Sequence, residues 1–171
     1  MWSRCAPPYE PSRRAVPRRM IPPQVLTPET GDRPLPADVA ALLEAPNFAH
    51  LATVDADGTP AVAAVWITVI EQHPAFFTSP ATNHGRNILR EPRVALSIID
   101  FANPYTLVRI RGRVERRIEG SAAVAIVHQL ARKYLSTDYP RPVPPNAFVN
   151  LVTPTSAVRA DYSDVHNPAR R

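Results

Sequence analysis

Residues 78–98, TSPATNHGRNILREPRVALSI, change character three times. Hydroxyls, an amide, a histidine and a glycine come first, and a short run with helical spacing follows. Pro92 then stops the helix, because proline lacks the N–H that a helix interior needs. The remainder, RVALSIID at 93–100, reads as a strand. A polar turn that opens a helix presents free backbone N–H groups and the positive end of the helix dipole, which together favour an anion. Thr82, Asn83, His84, Gly85, Arg86 and Asn87 would line such a site. The residues leave two readings open: an anion site, or a plain cap by Thr82 or Asn83 with Arg86 in solvent.

Strand signals lie on both sides. FAHLATV (48–54) and TPAVAAVWITVI (59–70) flank DADG, whose Asp57-Gly58 pair marks a hairpin. AFFTS (75–79) leads into the polar turn. In YTLVRIRGRVERRI (105–118), Val108, Ile110 and Val114 share one face while Arg109, Arg111 and Arg113 share the other. That arginine face either meets an anionic substrate or is simply solvated. AFVNLVTPTSAVRADY (147–162) reads as a last strand or a strand pair broken near Pro154.

Two helical patterns complete the chain. PADVAALLEA (36–45) places Val39, Leu42 and Leu43 on one face behind Pro36. SAAVAIVHQLARKYL (121–135) places Val127, Leu130, Ala131 and Tyr134 at helical spacing behind a Ser121 cap, with His128 read as a surface residue. Six or so strands in hairpin order with a helix inserted late predict a mainly β fold, a small antiparallel barrel with flanking helices.

At 171 residues and 44% hydrophobic content the chain can fill one core. The expected division is an arm at 1–35, one domain at 36–162 and a tail at 163–171. The arm is rich in proline and arginine without apolar periodicity, so it is expected to be disordered, and Met20 is a candidate start. No run approaches the roughly 18–20 apolar residues of a membrane helix, and no secretory signal is visible, so a cytoplasmic protein is expected. One cysteine, Cys5, and five scattered histidines form no metal-ligand spacing. A net charge of +5 favours anionic partners, phosphorylated cofactors as much as nucleic acid. The arginine-rich segments lack the interleaved aromatics of a stacking platform, which argues against nucleic acid. No nucleophile elbow, Walker loop or dinucleotide glycine fingerprint appears, so hydrolysis has little support.

The ordered segments LATVDADGTPAVAAVWI, FFTSPATNHGRNILREPRVALSI, NPYTLVRIRGRVE and LARKYLSTDYP resemble the split-barrel flavin and deazaflavin enzymes of the pyridoxamine 5'-phosphate oxidase-like superfamily. They are most similar to its actinobacterial branch that uses coenzyme F420. The resemblance spans about residues 38–162. It implies a homodimer of six-stranded antiparallel split barrels with two cofactor sites at the subunit interface. The flavin or deazaflavin ring would lie against Ala64, Val65 and Trp66. Thr78, Ser79, Thr82, Asn83, His84 and Asn87, with Arg86 close by, would hold the phosphate and ribityl chain. Tyr105 would come from the other subunit. Trp66 and Tyr105 also suit a core or a dimer seam, where aromatics commonly pack.

The phosphate loop of such proteins commonly carries an arginine and a lysine. Here those positions hold Thr82 or Asn83 and His84, which weakens the fixed charge facing a phosphate. The implied function is an F420-dependent reductase passing hydride to a small unsaturated or quinone-like acceptor. The alternatives are an FMN-dependent oxidoreductase of the same fold, or a barrel that binds a cofactor or ligand without catalysis. The cofactor carries the chemistry in such enzymes, so no catalytic side chain is expected.

Overall fold

The structure, a computed structural model, describes residues 35–163. The expected disorder of the arm concerns residues outside this range, apart from Leu35, which is buried in the core. The tail beyond Ser163 lies outside it too.

Seven antiparallel strands form one sheet: β1 (Ala49–Val54), β2 (Pro60–Val65), β3 (Thr68–Ile70), β4 (His73–Thr78), β5 (Arg93–Ile99), β6 (Thr106–Ile118) and β7 (Phe148–Asp161). Their order is β2-β1-β5-β6-β7-β4-β3. The two edges are consecutive pieces of one run, separated only by Trp66 and Ile67. At 3.8 Å per Cα step, Val65 and Thr68 lie within about 11 Å of each other, so the sheet curls until its edges meet. This is a barrel split at one seam, and the expected strand over 59–70 is in fact β2 plus β3.

Among the described residues three helices dress the sheet: α1 (Ala37–Glu44), α2 (Asn83–Arg90) and α3 (Gly120–Leu135). The strands' inward residues, among them Leu51, Phe76, Leu96, Ile98, Val108 and Ile110, fill the barrel together with Val39 and Leu43 of α1 and Ile88 of α2. A second cluster of Ala75, Val149 and Leu151 joins Ala123 on the outer side of β4 and β7, where α3 packs. Val127, Leu130 and Ala131 are buried along α3 as the helical spacing predicts. Its cap differs: Glu119 occupies the N-cap and Ser121 lies inside the helix, with no side-chain capping bond.

The alternation in β6 is as the sequence predicts, with Val108, Ile110 and Val114 buried and Arg109, Arg111 and Arg113 exposed. Of the two readings of 147–162, the single strand holds: β7 runs through Pro154 unbroken. The ladder absorbs the missing N–H as register shifts beside Arg111/Gly112 and Val114/Arg116, with Gly112 opposite Pro154. A Cβ at Gly112 would sit 2.5 Å from the Thr153 carbonyl oxygen, so the bulge admits only glycine there.

The β3–β4 hairpin turns through Glu71 and Gln72, both in the left-handed region at φ 49° and 65°. An L-residue there costs roughly 1–2 kcal/mol, partly offset by the greater unfolded-state freedom of glycine. Gln72→Gly is therefore expected to stabilise the protein by about 0.5–1 kcal/mol. A denaturant midpoint that moves down would refute that reading of the turn.

Candidate functional site

The seam between the barrel's edges is where backbone groups lose their ladder partners, and α3 supplies replacements. The Tyr134 hydroxyl accepts the Ile67 N–H at 3.1 Å and donates to the Asn47 carbonyl at 2.7 Å. Lys133 Nζ donates to the Ile67 carbonyl at 2.6 Å and also to the Leu43 carbonyl at the end of α1. Ile67 is fully buried, so without these partners its N–H and C=O would be orphaned. Burial pulls Lys133 down to about 8, against the opposing pull of Glu44, and pushes Tyr134 up.

Pinning Ile67 leaves Trp66 turned toward aromatic neighbours. Its ring stacks on Tyr134 at 5.2 Å and 5°, and meets Phe77 at 6.2 Å and Tyr139 edge-on at 6.1 Å. Phe77 and Tyr139 form a further edge-on pair at 5.8 Å. The Trp66, Phe77 and Tyr139 rings form one wall of a cavity of about 390 Å³, with Tyr134 stacked behind Trp66.

The other wall is the start of α2. Thr82 is its N-cap, and Thr82 Oγ1 accepts the Gly85 N–H at 3.0 Å while donating to the Ser79 carbonyl at 2.9 Å. A hydroxyl has one proton, so Thr78 Oγ1, 2.8 Å from Thr82 Oγ1, must be the donor in that contact. Gly85 is buried against this loop; a Cβ on it would lie 2.0 Å from the Ser79 carbonyl oxygen. Thr78, Ser79, Thr82 and His84 all line the cavity opposite the rings. Burial lowers the His84 pKa below the ordinary 6.5, so the unliganded imidazole is neutral at neutral pH. The cavity thus has an aromatic side and a hydroxyl-imidazole side, a shape and polarity that fit a planar ring carrying a polar or anionic chain.

A family model described as pyridoxamine 5'-phosphate oxidase matches residues 35–160. The chain belongs to this family. Within it, the pyridoxine/pyridoxamine 5'-phosphate oxidase of Bordetella petrii is 41% identical over 80 residues, 46% of this chain and 37% of the relative. The match therefore spans little more than a third of that oxidase's length. A solved structure named F420 reductase is 33% identical with a TM-score of 0.63, covering 72% of this chain and 98% of that one. An FMN-binding, pyridoxamine 5'-phosphate oxidase-related protein of Nostoc punctiforme shares the fold at 16% identity and a TM-score of 0.53, over 73% of this chain and 80% of that one.

Seven residues that the family resemblance points to meet at this cavity: Ala64, Val65, Trp66, Thr78, Ser79, Thr82 and His84. Three of its neighbours in the loop are engaged elsewhere. Asn83 Nδ2 and Asn87 Nδ2 donate to Asp55 Oδ1 at 2.7 and 2.6 Å, and Asn87 also reaches Thr53 at 3.1 Å, so both tie α2 to the β1–β2 hairpin. The Arg86 guanidinium folds back on the Ala81 carbonyl at 3.0 Å and Asn83 Oδ1 at 3.3 Å. Tyr105, 43% exposed, immediately precedes β6, its carbonyl accepting the Tyr162 N–H, and is not in this cavity wall.

Sequence reasoning missed Phe77, Tyr139, Pro144 and Ala147, which also line the cavity. Phe77 lay in plain sight beside Thr78. Tyr139 carried a weaker signal, a single aromatic in a proline-rich segment after an amphipathic helix. Among the described residues no group of three or more His, Cys, Asp or Glu could hold a metal ion, and no helix is long and apolar enough to cross a membrane.

Proposed function

We propose that the protein is an oxidoreductase whose cavity takes a flavin-type cofactor, and that this cofactor is coenzyme F420. The observation that carries the reading is the convergence of Trp66 and the second-strand backbone with the Thr78–Ser79 turn and the capped N-terminus of α2 around one cavity. The F420 reductase matched over 98% of its length supports the choice of deazaflavin. When bound, such a cofactor supplies hydride transfer to a small unsaturated or quinone-like acceptor. The chain's part is to pack Ala64, Val65 and Trp66 against the ring, to excluded water with Phe77 and Tyr139, and to present hydroxyls and His84 to the phosphate end. The alternatives stand on the same geometry: FMN is the competing cofactor, and because no lysine or arginine among the described residues lines the cavity, ligand binding without turnover is the other competing reading.

A homodimer belongs to this proposal: the resemblance assigns Tyr105, which does not line its own chain's cavity, to the site of a second copy, and exposed Phe101 and Tyr162 share its end of the sheet. A cytoplasmic location accords with an F420-using enzyme and is proposed with it. Reduced F420 should be reoxidised by a quinone in the presence of the protein. Turnover with reduced FMN alone would move the assignment to the alternative, and none with either would leave a binding protein.

His84 gives the reading a pH signature. Binding a phosphate favours imidazolium and lifts the His84 pKa from its burial-lowered value. Affinity is then highest at low pH and falls as pH rises from the free toward the bound pKa. His84→Lys should bind roughly tenfold tighter than the parent at pH 8, the worth of one charge-assisted hydrogen bond, and His84→Ala should lose the dependence. Equal affinity of the lysine variant and the parent at pH 8, at constant salt, would take His84 out of the phosphate site.

A further inference from the structure

The cavity's aromatic wall depends on a residue that belongs to a loop rather than to the sheet. Tyr139 lies in residues 136–147, STDYPRPVPPNA, between α3 and β7. Most of this loop is exposed, and Tyr139 and Val143 are its half-buried members before Ala147. The loop leaves α3 through Ser136, whose left-handed backbone at φ 59° ends the helix. Four prolines deny it N–H groups, so few backbone bonds can fasten it. The Tyr139 N–H is one that remains, and it donates to His128 Nδ1 at 3.2 Å, about two helical turns back from the end of α3.

A backbone N–H can only donate, so Nδ1 must carry the lone pair and the ring must be the neutral tautomer protonated at Nε2. Beside it, Asp138 Oδ1 lies 4.0 Å from His128 Nδ1 and is held at 2.7 Å by Arg132 Nε from the same helix as the histidine. These are the charged groups facing the imidazole.

We infer that His128 is a positioning residue for the cavity: its neutral imidazole latches the Tyr139 backbone and so holds that ring against Trp66 and Phe77. The latch acts in the unliganded chain and stands whichever cofactor the cavity takes.

The exchange rate of the Tyr139 amide proton reads the latch directly, with the Ala147 amide, bonded at 2.9 Å to the Pro144 carbonyl, as reference in the same loop. Losing one hydrogen bond of up to about 1.4 kcal/mol makes local opening up to tenfold more frequent. His128→Phe, which keeps the ring shape without the acceptor, should therefore speed Tyr139 exchange about tenfold relative to Ala147. His128→Asn, whose Oδ1 occupies the place of Nδ1 and does not titrate, should restore protection. Tyr139 exchange that is equally fast in the parent and in His128→Phe would overturn the inference. So would an asparagine variant no better protected than the phenylalanine one.

Discussion

Gly85→Ala is expected to lose about 3–4 kcal/mol of stability and to abolish cofactor binding, although it adds a single methyl group to a helix. The new Cβ would stand 2.0 Å from the Ser79 carbonyl oxygen and 2.8 Å from Thr82 Oγ1. The Ser79 carbonyl is backbone and cannot rotate aside, and Thr82 Oγ1 can turn away only by giving up its cap on Gly85. Relief requires α2 to move away from the 79–82 turn, which breaks the Thr82 cap and the Thr78–Thr82–Ser79 hydroxyl relay together. Overpacking contributes up to about 3 kcal/mol and the lost cap about 1. Urea unfolding measures the first effect and cofactor titration the second. A variant with parental stability and affinity would mean the turn is soft and does not shape the site.

Tyr134→Ala should cost about 3–5 kcal/mol, the range for deleting a packed aromatic side chain. Tyr134→Phe should cost about 1–3, because the ring stays and the buried Ile67 N–H loses its acceptor. The two variants also separate roles at the site. The phenylalanine keeps the stack on Trp66, whereas alanine removes the ring lying 5.2 Å from it. Trp66 emission should therefore move to longer wavelength in the alanine variant and change little in the phenylalanine one, measured in a Trp2→Phe background. Equal stability losses in both would show that the hydroxyl, rather than the ring, fixes the seam.

The strands of this fold were legible because their inward and outward residues alternate, as in Val108, Ile110 and Val114 against the three arginines of β6. What periodicity could not reveal was the interruption at Trp66-Ile67. Both residues are apolar and strand-formers, and the break exists because Lys133 and Tyr134, far along the chain, satisfy the Ile67 backbone. Pro154 left a strand and a broken strand pair equally open. A proline ends a strand unless its partner can bulge, and the partner that permits it, Gly112, lies on another strand. At the site, family resemblance brought the hydroxyls and Trp66 to one place, and Thr82 is the cap that its position beside a helical run allowed. Asn83 and Asn87 have the same polar chemistry, but Asp55 of the β1–β2 hairpin claims both amides. His128 looked like a surface residue because its partner is a backbone N–H in a loop with no pattern to read.

The central claim, that the cavity beside Trp66 is the site of a flavin-type cofactor and prefers F420, meets its most direct test in titrating the Trp2→Phe protein with F420 and with FMN while following Trp66 emission. Both ligands should quench Trp66 saturably, with F420 binding at least tenfold more tightly, a difference of about 1.4 kcal/mol. Tighter binding of FMN would contradict the choice of cofactor. Saturable binding by either ligand that leaves Trp66 emission unchanged, or no saturable binding at all, would contradict the site itself.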